Sequence, residues 1–393
     1  MTFSPSVPMS APFIPFADPH AACALRKRAV LKAVRRVFDS GHYILGGEVE
    51  TFERAFADYL GLDRAVGCAC GTDALELSLR VLGVGAGKAV FTVSHTAVAT
   101  VAAVERAGAV PAPADIDPAT LTMDPESLEA SVVHLLETRP DLTPAAVIPV
   151  HLYGHPCDMD AVTAVARKYA LAVVEDCAQA HGARYKGRQV GAFGNLAAFS
   201  FYPTKNLGAL GDAGAVATRD PGLAEALSAM RQYGWNEQRI SVEPGVNSRL
   251  DPVQAAVLNV QLKHLDPDNA ARRRIAARYA EGLSGCGLLL PAAMPWVEPV
   301  FHLYVVRCPE QHAFREFLRD RGIGTAVHYP RPAHLQPAYR GRLPIPPDGL
   351  PVTERIMDEV VSLPMFPQLE DEAVDRVIDA VRAWARTRKA KGR

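Results

Sequence analysis

Apolar side chains recur at intervals of three and four residues in two segments near the N-terminus, a pattern that predicts amphipathic helices. The first segment runs from Ala21 to Ser40 and is followed by Gly41, a residue type that commonly ends helices. The second segment covers residues 47–61. Before both, the Pro-rich stretch up to about His20 predicts an extended arm.

After these helices, short apolar runs alternate with segments of helical periodicity. The runs at residues 65–70, 89–94, 145–154 and 171–179 predict buried strands. Strands that alternate with helices are typical of a mostly parallel sheet with helices on both faces, because parallel strands require a crossover connection. Downstream, FSFYPTKN and GAVATRD predict a pair of strands that closes this sheet.

The alternation then ends, which predicts a domain boundary. Beyond it, the spacing predicts a long helix from Pro252 to Tyr279, with an interruption near Pro267. A strand, a further helix, a Pro-rich loop and a final basic helix follow. We therefore expect a large α/β domain over residues 1–250 and a smaller domain over residues 251–393.

Composition and charge narrow the class of protein. Hydrophobic residues make up 49% of the 393 residues and charged residues 22%, close to the values of globular proteins, so the chain can form a sizeable core. Lysine and arginine total 42 against 43 aspartates and glutamates, a formal net charge of −1. Nucleic-acid-binding proteins usually carry a basic excess, so we expect no nucleic-acid partner.

Cysteine use and the absence of long apolar runs indicate a cytoplasmic protein. The seven cysteines are odd in number and form no CxxC pair, which argues against a disulfide framework or a zinc site. The twelve histidines show no metal-ligand spacing, so no metal is expected. No apolar run reaches the ~18 residues that a membrane-spanning helix needs, and the N-terminus lacks the features of a signal peptide.

Three groups of polar residues are predicted at the carboxyl ends of strands, where open α/β sheets bind ligands. Gly71 and Thr72 lie between a strand and a helix, a turn whose free N–H groups can bind an anion. Asp176 ends a buried strand, and Lys205 follows the strand that contains Ser200. Each feature also has a structural explanation: an N-cap for Thr72, a salt-bridged carboxylate for Asp176 and a surface position for Lys205.

Together, the three features fit the chemical needs of pyridoxal 5′-phosphate. This cofactor needs a lysine for its aldehyde, a carboxylate for its pyridine nitrogen, and a helix N-terminus with hydroxyls for its phosphate. Burial would lower the pKa of the lysine and make its amine a nucleophile. From the residues alone, this cofactor is a hypothesis.

Two motifs are highly specific in combination and order: VEDCAQAHG at 174–182 and SFYPTKN at 200–206. Through them, the chain is similar to the DegT/DnrJ/EryC1/StrS family of sugar aminotransferases, within the fold type I (aspartate aminotransferase) superfamily. The resemblance extends over most of the chain. It also includes ACGTDAL, HLYGHPCDMD, GVNSRLDPVQAAVL and VHYPRPAHLQPAY. The resemblance implies a large domain with a mostly parallel seven-stranded sheet between helices, and a smaller α+β C-terminal domain.

The resemblance also implies roles for residues that bind the cofactor. Lys205 would bind the cofactor covalently, Asp176 would pair with its pyridine nitrogen, and Gln179 would approach its ring hydroxyl. The phosphate-binding residues that the resemblance implies are Gly71, Thr72 and Ser200.

Further residues are implied at a subunit interface and on the substrate side. Asn247 would reach the phosphate from the neighbouring subunit, with Arg249 nearby. This arrangement would place the active site at a homodimer interface. His328 and Tyr329 resemble substrate-side residues of the small domain.

The sequence departs from the family pattern at two places. An aromatic residue that usually stacks on the cofactor ring is replaced by Ala97 in SHTAVAT, where His95 is either a substitute or a neighbouring structural residue. The glycine-rich segment after the lysine reads GDAGAV, with Asp212 and Ala213 at altered positions. Both departures leave Lys205 in place.

The resemblance implies a transaminase that takes its amino group from L-glutamate and delivers it to C3 or C4 of a nucleotide-linked keto-deoxysugar. NSRLDPVQAA and YGWNEQR resemble members acting at C3 slightly more closely. Two alternatives remain open: amination of a cyclitol such as scyllo-inosose, and a non-catalytic regulatory protein of the same fold. Retention of Lys205, Asp176, Gln179 and Ser200 favours an enzyme.

Overall fold

The computed structural model describes residues 12–292 and 294–391. Residues 1–11 of the predicted arm and residues 392–393 of the basic tail lie outside the described residues.

The helices are α1 (Pro19–Leu25), α2 (Lys27–Ser40), α3 (Gly47–Leu60), α4 (Gly71–Val81), α5 (Val98–Arg106), α6 (Pro125–Thr138), α7 (Met159–Lys168), α8 (Pro221–Met230), α9 (Pro252–Gln261), α10 (Leu265–Gly282), α11 (Gln311–Arg319), α12 (Pro351–Ile356) and α13 (Asp371–Lys391). The strands are β1 (Arg64–Cys68), β2 (Lys88–Val93), β3 (Val110–Ala114), β4 (Thr143–Val147), β5 (Ala172–Asp176), β6 (Arg184–Tyr185), β7 (Arg188–Gln189), β8 (Leu196–Ser200), β9 (Gly214–Thr218), β10 (Val297–Glu298), β11 (Tyr304–Arg307) and β12 (Val360–Leu363).

The central sheet contains seven strands in the order β1-β9-β8-β5-β4-β2-β3. Strands β3, β2, β4, β5 and β8 run parallel to one another, whereas β9 pairs antiparallel with both β8 and β1. This confirms the predicted mostly parallel sheet between helices. The carboxyl ends of β2, β4, β5 and β8 meet at one edge of the sheet, and this edge positions the candidate site.

Helices cover both faces of the sheet, which explains why its strands read as continuous apolar runs. One hydrophobic cluster joins the sheet to α4 and α6 through residues such as Leu77 and Leu128. A second cluster joins it to α3 and α9 through Phe56 and Leu258. In this second cluster, the rings of Phe56 and Phe199 meet edge to face with their centroids 4.9 Å apart.

Two predicted helices are interrupted where the chain bends. The first predicted helix consists of α1 and α2, which meet at Arg26, and the Arg26 guanidinium forms hydrogen bonds of 2.8 and 2.7 Å with Asp268. The long helix predicted over 252–279 consists of α9 and α10, joined by a 3₁₀ turn at Leu262–His264. Pro267 lies in the first turn of α10, where its missing N–H removes no intrahelical hydrogen bond, so the interruption falls before it.

The C-terminal part contains a two-stranded antiparallel sheet, β11 with β12, packed with α10, α11 and α13. Its hydrophobic cluster includes Ile275, Phe314 and Val377, together with Ile14 from the N-terminal arm. Helix α9 instead packs against α2 and α3. The division of the chain at residue 250 stays a prediction. Within the described residues, no helix combines the length and apolarity needed to cross a membrane.

Candidate active site

A cleft of about 230 Å³ opens at the carboxyl edge of the sheet. It lies between the first turn of α4 and the segments that follow β2, β5 and β8. The parallel topology therefore brings together residues that are far apart in the sequence. The predicted site residues that line this cleft are Gly71, Thr72, Asp176, Gln179, Ser200 and Lys205.

Asp176 is the last residue of β5 and is 5% exposed. Its Oδ2 accepts a hydrogen bond from the Thr100 hydroxyl (2.9 Å), and its Oδ1 accepts one from the Ala178 N–H (3.1 Å). Burial raises the pKa of the Asp176 carboxyl, while these hydrogen bonds and the Lys205 amine act in the opposite direction. Because a carboxylate has about four acceptor positions, it retains capacity for a donor within the cleft.

Lys205 is placed by the turn that follows β8. Its backbone N–H donates to the Tyr202 carbonyl oxygen (2.8 Å). Gly208 packs so closely in this turn that a Cβ there would lie 2.7 Å from the Pro203 carbonyl oxygen. Burial lowers the pKa of Lys205 from 10.5 to about 8, although the Asp176 carboxylate opposes the shift. The amine is therefore about half neutral near pH 8, which suits nucleophilic attack and proton transfer.

Gly71 and Thr72 form the first turn of α4, whose N–H groups have no partner within the helix. The turn packs tightly on the end of β8, because a Cβ on Gly71 would lie 2.6 Å from the Ser200 Cβ. On the neighbouring strand, a Cβ on Gly214 would lie 2.4 Å from the Cys70 carbonyl carbon. Glycine permits both approaches, which bring the helix N-terminus beside Ser200 and create an anion-binding site.

Glu175 lies on the opposite face of β5 from Asp176. Its buried carboxylate accepts hydrogen bonds of 2.7 Å from backbone N–H groups of the loop 191–194, and one of its oxygens lies 3.1 Å from His151 Nε2. Burial alone would raise the pKa of the Glu175 carboxyl, but these donors hold it below its ordinary value. The network fixes the end of β5 and hence the position of Asp176, a role that the sequence motifs did not reveal.

The ligand atoms of His151, Glu175 and Cys177 lie within 4.8 Å of one another, a spacing compatible with a metal ion. Hydrogen bonds already engage two of these groups. His151 Nδ1 accepts from the Cys157 N–H (3.0 Å), and the Glu175 oxygens accept from backbone amides. The cluster is therefore explained as a hydrogen-bond network that supports the sheet edge.

Gln179 links the cleft to the C-terminal part of the chain. Its Oε1 accepts a hydrogen bond from the Tyr153 N–H (2.7 Å), and its Nε2 donates to the Tyr329 hydroxyl (3.0 Å). His328 lines a neighbouring cavity that also reaches Lys205. Burial, with a smaller contribution from the Lys205 amine, lowers the pKa of His328 to about 4, so its ring is neutral at neutral pH.

His95 does not line the cleft. Its ring is buried, its Nε2 lies 2.6 Å from the Tyr153 hydroxyl, and burial lowers its pKa to about 3. Ala97 lines the cleft at the position where the family carries an aromatic residue, so the geometry gives no support for His95 as a stacking substitute. Of the two altered glycine-loop positions, Asp212 lines the cleft and Ala213 is buried in the core; nothing in the structure explains the change.

Asn247 and Arg249 also lie outside the cleft of their own chain. Ser248, between them, donates to Asp73 Oδ2 (2.6 Å) and accepts from the Ala69 N–H (3.1 Å). These bonds anchor the segment beside the first turn of α4. The Asn247 side chain remains exposed on the surface.

The residues of the cleft fit pyridoxal 5′-phosphate. The first turn of α4 approaches Ser200 closely, an approach that a Cβ on Gly71 would block. The free N–H groups of this turn could therefore hold the phosphate. The Asp176 carboxylate has acceptor capacity for a protonated ring nitrogen, and the Lys205 amine is a suitable partner for the aldehyde.

Comparisons with known proteins agree with this geometry. The sequence pattern of the DegT/DnrJ/EryC1/StrS aminotransferase family matches residues 25–382. A dTDP-3-amino-3,4,6-trideoxy-alpha-D-glucose transaminase from Streptomyces venezuelae is 48% identical, over 95% of this chain and 97% of the relative. A dTDP-3-amino-3,6-dideoxy-alpha-D-galactopyranose transaminase from Aneurinibacillus thermoaerophilus is 43% identical, over 94% and 99%. The crystal structure of S. venezuelae DesV in complex with a ketimine intermediate has a TM-score of 0.90 and 48% identity, over 95% of this chain and 99% of that one.

The chain belongs to the DegT/DnrJ/EryC1/StrS aminotransferase family. Its fold is that of the aminotransferases, and its cofactor is pyridoxal 5′-phosphate. These findings confirm the predicted family, fold class and cofactor, and the predicted enzyme class, a transaminase. The roles of the individual cleft residues stay predictions.

We expect that Gly71→Ala weakens cofactor binding by at least about tenfold, because the new Cβ forces the first turn of α4 away from Ser200. Titration of cofactor-free protein with pyridoxal 5′-phosphate, followed by protein fluorescence, measures this affinity. Circular dichroism checks that the variant remains folded.

Gly47 offers a matched control, since it is the first residue of helix α3 and a Cβ there meets nothing within 4 Å. Gly47→Ala should bind the cofactor as the unmodified protein does. Equal and undiminished affinity in both variants would contradict an anion site at the start of α4.

Proposed function

We propose that this protein transfers the amino group of L-glutamate to a keto carbon of a nucleotide-linked deoxysugar. The observation that carries the proposal is the cleft in which the partly neutral amine of Lys205 lies near the buried carboxylate of Asp176. An amine that titrates near pH 8 can both attack an electrophile and carry a proton. The two transaminase relatives add support for a sugar as the amino acceptor.

In this proposal, Lys205 first holds the cofactor through its Nζ. When the amino donor takes its place, the released Nζ moves a proton at the donor carbon that carries the amino group. With a pKa of about 8, the amine can accept this proton and return it near neutral pH. In the second half-reaction, the same atom delivers a proton at the carbon of the sugar that receives the amino group.

Asp176 and the first turn of α4 hold the two ends of the cofactor. When bound, pyridoxal 5′-phosphate supplies an electron sink for the negative charge that develops at the reacting carbon. Asp176 holds the proton on the pyridine nitrogen, and its hydrogen bonds with Thr100 and Ala178 orient its carboxylate. The residues that bind the phosphate are Gly71, Thr72 and Ser200.

We infer further that the acceptor is a 3-keto deoxysugar linked to dTDP. Both relatives are named for dTDP sugars that carry the amino group at C3, in agreement with the preference that the sequence indicated. Tyr329 and His328 would contact the sugar. The hydrogen bond between Gln179 and Tyr329 supports this role, because it ties Tyr329 to a residue that lines the cleft.

We propose that the enzyme is a homodimer in which Asn247 and Arg249 complete the site of the other subunit. The exposure of Asn247 and its position outside its own cleft support this arrangement. Large apolar side chains are also exposed near the cleft and in the segment that precedes Asn247, as expected of a subunit interface. They are Tyr202 (53% exposed), Leu210 (50%), Ile240 (58%) and Val242 (68%).

The test of the reaction uses purified holoenzyme, L-glutamate and a panel of dTDP-linked 3-keto and 4-keto deoxysugars, with amino sugars detected by mass spectrometry. We expect amination of the 3-keto sugars. Lys205→Ala should reduce the rate by at least about a thousandfold, because the cleft loses its nucleophile and proton carrier.

Lys186→Ala is the control, since Lys186 is an exposed lysine paired with Asp160 at the surface and should retain full activity. Transamination by Lys205→Ala would contradict the assignment of Lys205. Amination of 4-keto sugars alone would move the reaction to C4, and amination of scyllo-inosose alone would favour a cyclitol substrate. A holoenzyme that aminates none of them would favour a regulatory protein.

Mixing two inactive variants tests the shared site. In a dimer of Lys205→Ala with Asn247→Ala chains, one site combines an intact Lys205 with the intact Asn247 of the other chain. After refolding an equal mixture, we expect roughly a quarter of the unmodified activity, since half of the dimers are mixed and each has one intact site. An inactive mixture, or an Asn247→Ala chain that is fully active alone, would contradict the proposal.

A further inference from the structure

Tyr153 connects segments of the chain that meet beside the candidate active site. It is buried in the 3₁₀ turn Leu152–Gly154, which follows strand β4. Its backbone N–H donates to Gln179 Oε1 (2.7 Å), and its hydroxyl donates to the His328 carbonyl oxygen. This one residue therefore contacts both the segment after β5 and the segment that contains Tyr329.

The backbone of this turn has an unusual conformation. Tyr153 has a φ of 61°, in the left-handed region that bulky residues rarely adopt. Gly154 follows with a φ of 87°, and a Cβ there would lie 3.0 Å from both the Gln179 carbonyl oxygen and the His302 backbone nitrogen. Such backbone persists only where the surrounding contacts hold it, and it is concentrated at functional sites.

The hydrogen bonds of Tyr153 form a closed ring with Gln179 and the segment 328–329. Because the Tyr153 N–H occupies Gln179 Oε1, the Nε2 of the same amide faces Tyr329 and donates to its hydroxyl (3.0 Å). The Tyr329 oxygen therefore accepts a hydrogen bond, which leaves its own O–H as a donor. Burial raises the pKa of Tyr329 to about 12, so the hydroxyl keeps this proton at neutral pH.

His95 contacts the same Tyr153 hydroxyl. Its Nε2 lies 2.6 Å from the hydroxyl oxygen, and the two rings meet edge to face with their centroids 5.8 Å apart. The single proton of the Tyr153 hydroxyl goes to the His328 carbonyl, which can only accept, so the proton shared with His95 belongs to Nε2. His95 Nδ1 is then unprotonated, in agreement with its lack of a partner among the described residues. The hydrogen bonds therefore run in one direction, from His95 through Tyr153 to His328.

We propose that Tyr153 is a positioning residue for the amino acceptor and that His95 orients its hydroxyl. Together they hold the segment 328–329 so that the Tyr329 hydroxyl donates to an oxygen atom of the sugar. Tyr153 does not line the cleft, so it acts through Tyr329 and not on the sugar itself. The proposal rests on the proposed function, in which Tyr329 contacts the sugar.

Other contacts hold this part of the chain on both sides of His328. The N–H groups of Ala326 and Ala333 donate to backbone carbonyl oxygens of other segments (3.2 and 3.0 Å), and His328 Nδ1 lies 2.8 Å from the Ser362 hydroxyl oxygen. Loss of the Tyr153 hydroxyl should therefore leave the fold intact and loosen only the backbone between these contacts.

The experiment measures binding of dTDP-glucose, which has a hydroxyl in place of the keto group and cannot accept an amino group. Calorimetry with the holoenzyme compares the unmodified protein with Tyr153→Phe, Tyr329→Phe and the double variant. We expect the dissociation constant to rise at least about fivefold in each single variant, since each loses one hydrogen bond of the arrangement. Because Tyr153 acts through Tyr329, the double variant should bind no more weakly than Tyr329→Phe alone.

Two further measurements separate positioning from a general disturbance. With the 3-keto sugar that the enzyme aminates, Tyr153→Phe should raise KM and largely retain kcat, because Lys205 and the cofactor are unchanged. His95→Leu should weaken dTDP-glucose binding about threefold, since the Tyr153 hydroxyl loses its donor. His95→Gln should restore binding, because its amide N–H can replace Nε2–H.

Tyr185→Phe is the matched control, because Tyr185 is also buried, its hydroxyl donates to Asp158 Oδ1 (2.7 Å) and it does not line the cleft. This variant should bind dTDP-glucose normally. Thermal unfolding identifies the variants that are folded. If Tyr153→Phe is not folded, the comparison of His95→Leu with His95→Gln decides.

Unchanged dTDP-glucose binding in folded Tyr153→Phe would overturn the proposal, as would a double variant weakened by the product of the two single effects. Failure of the proposed function has a different result. If the unmodified protein binds scyllo-inosose and not dTDP-glucose, and Tyr153→Phe weakens that binding, the positioning role stands and the nucleotide sugar is contradicted. An unmodified protein that binds neither ligand would contradict both.

Discussion

Burial of a carboxylate and a lysine amine in one cleft is the interaction on which the rest of the site depends. Each group would be unfavourable in this setting as an isolated charge. Hydrogen bonds from Thr100 and Ala178 stabilise the Asp176 carboxylate. The pKa of the Lys205 amine is instead determined mainly by burial, which lowers it. Each charge stabilises the other, but for Lys205 desolvation is the larger effect, so its pKa falls to about 8.

Contacts outside the cleft hold Asp176 and Lys205 in place. The Glu175 carboxylate ties β5 to the loop 191–194 and to His151 behind the sheet. On the other side, Gly71 lets α4 approach β8 closely enough to present its N–H groups beside Ser200. Two sites of close packing therefore fix the distance between the anion site and the reactive amine.

Much of the sheet could be predicted because buried parallel strands produce continuous apolar runs that alternate with helices. Strand β3 was not predicted: its sequence VPAPA contains two prolines, which a strand accommodates at the edge of a sheet, where β3 lies. The break at Arg26 also gave no local signal. It accompanies hydrogen bonds with Asp268, far along the chain, and sequence periodicity contains no information about such a contact.

In the candidate site, too, features with a local sequence signal could be predicted, and features that depend on distant contacts could not. Residues within short motifs, such as Asp176, Gln179 and Lys205, could be predicted and lie together in the cleft. The role of Glu175 could not be predicted, because it depends on hydrogen bonds with the distant loop 191–194. His95 is the opposite case. Its position in the sequence suggested that its ring could stack on the cofactor, whereas in the structure its Nε2 lies beside the Tyr153 hydroxyl.

The pH dependence of covalent labelling at Lys205 tests the central claim most directly. Cofactor-free protein is treated with an amine-selective reagent over a range of pH, and labelling of this one lysine is quantified by mass spectrometry. A midpoint near pH 8 is predicted, since burial lowers the pKa to about 8, and Asp176→Asn should lower it further because the carboxylate raises this pKa. A midpoint near the ordinary lysine value of 10.5, unchanged by Asp176→Asn, would contradict the account.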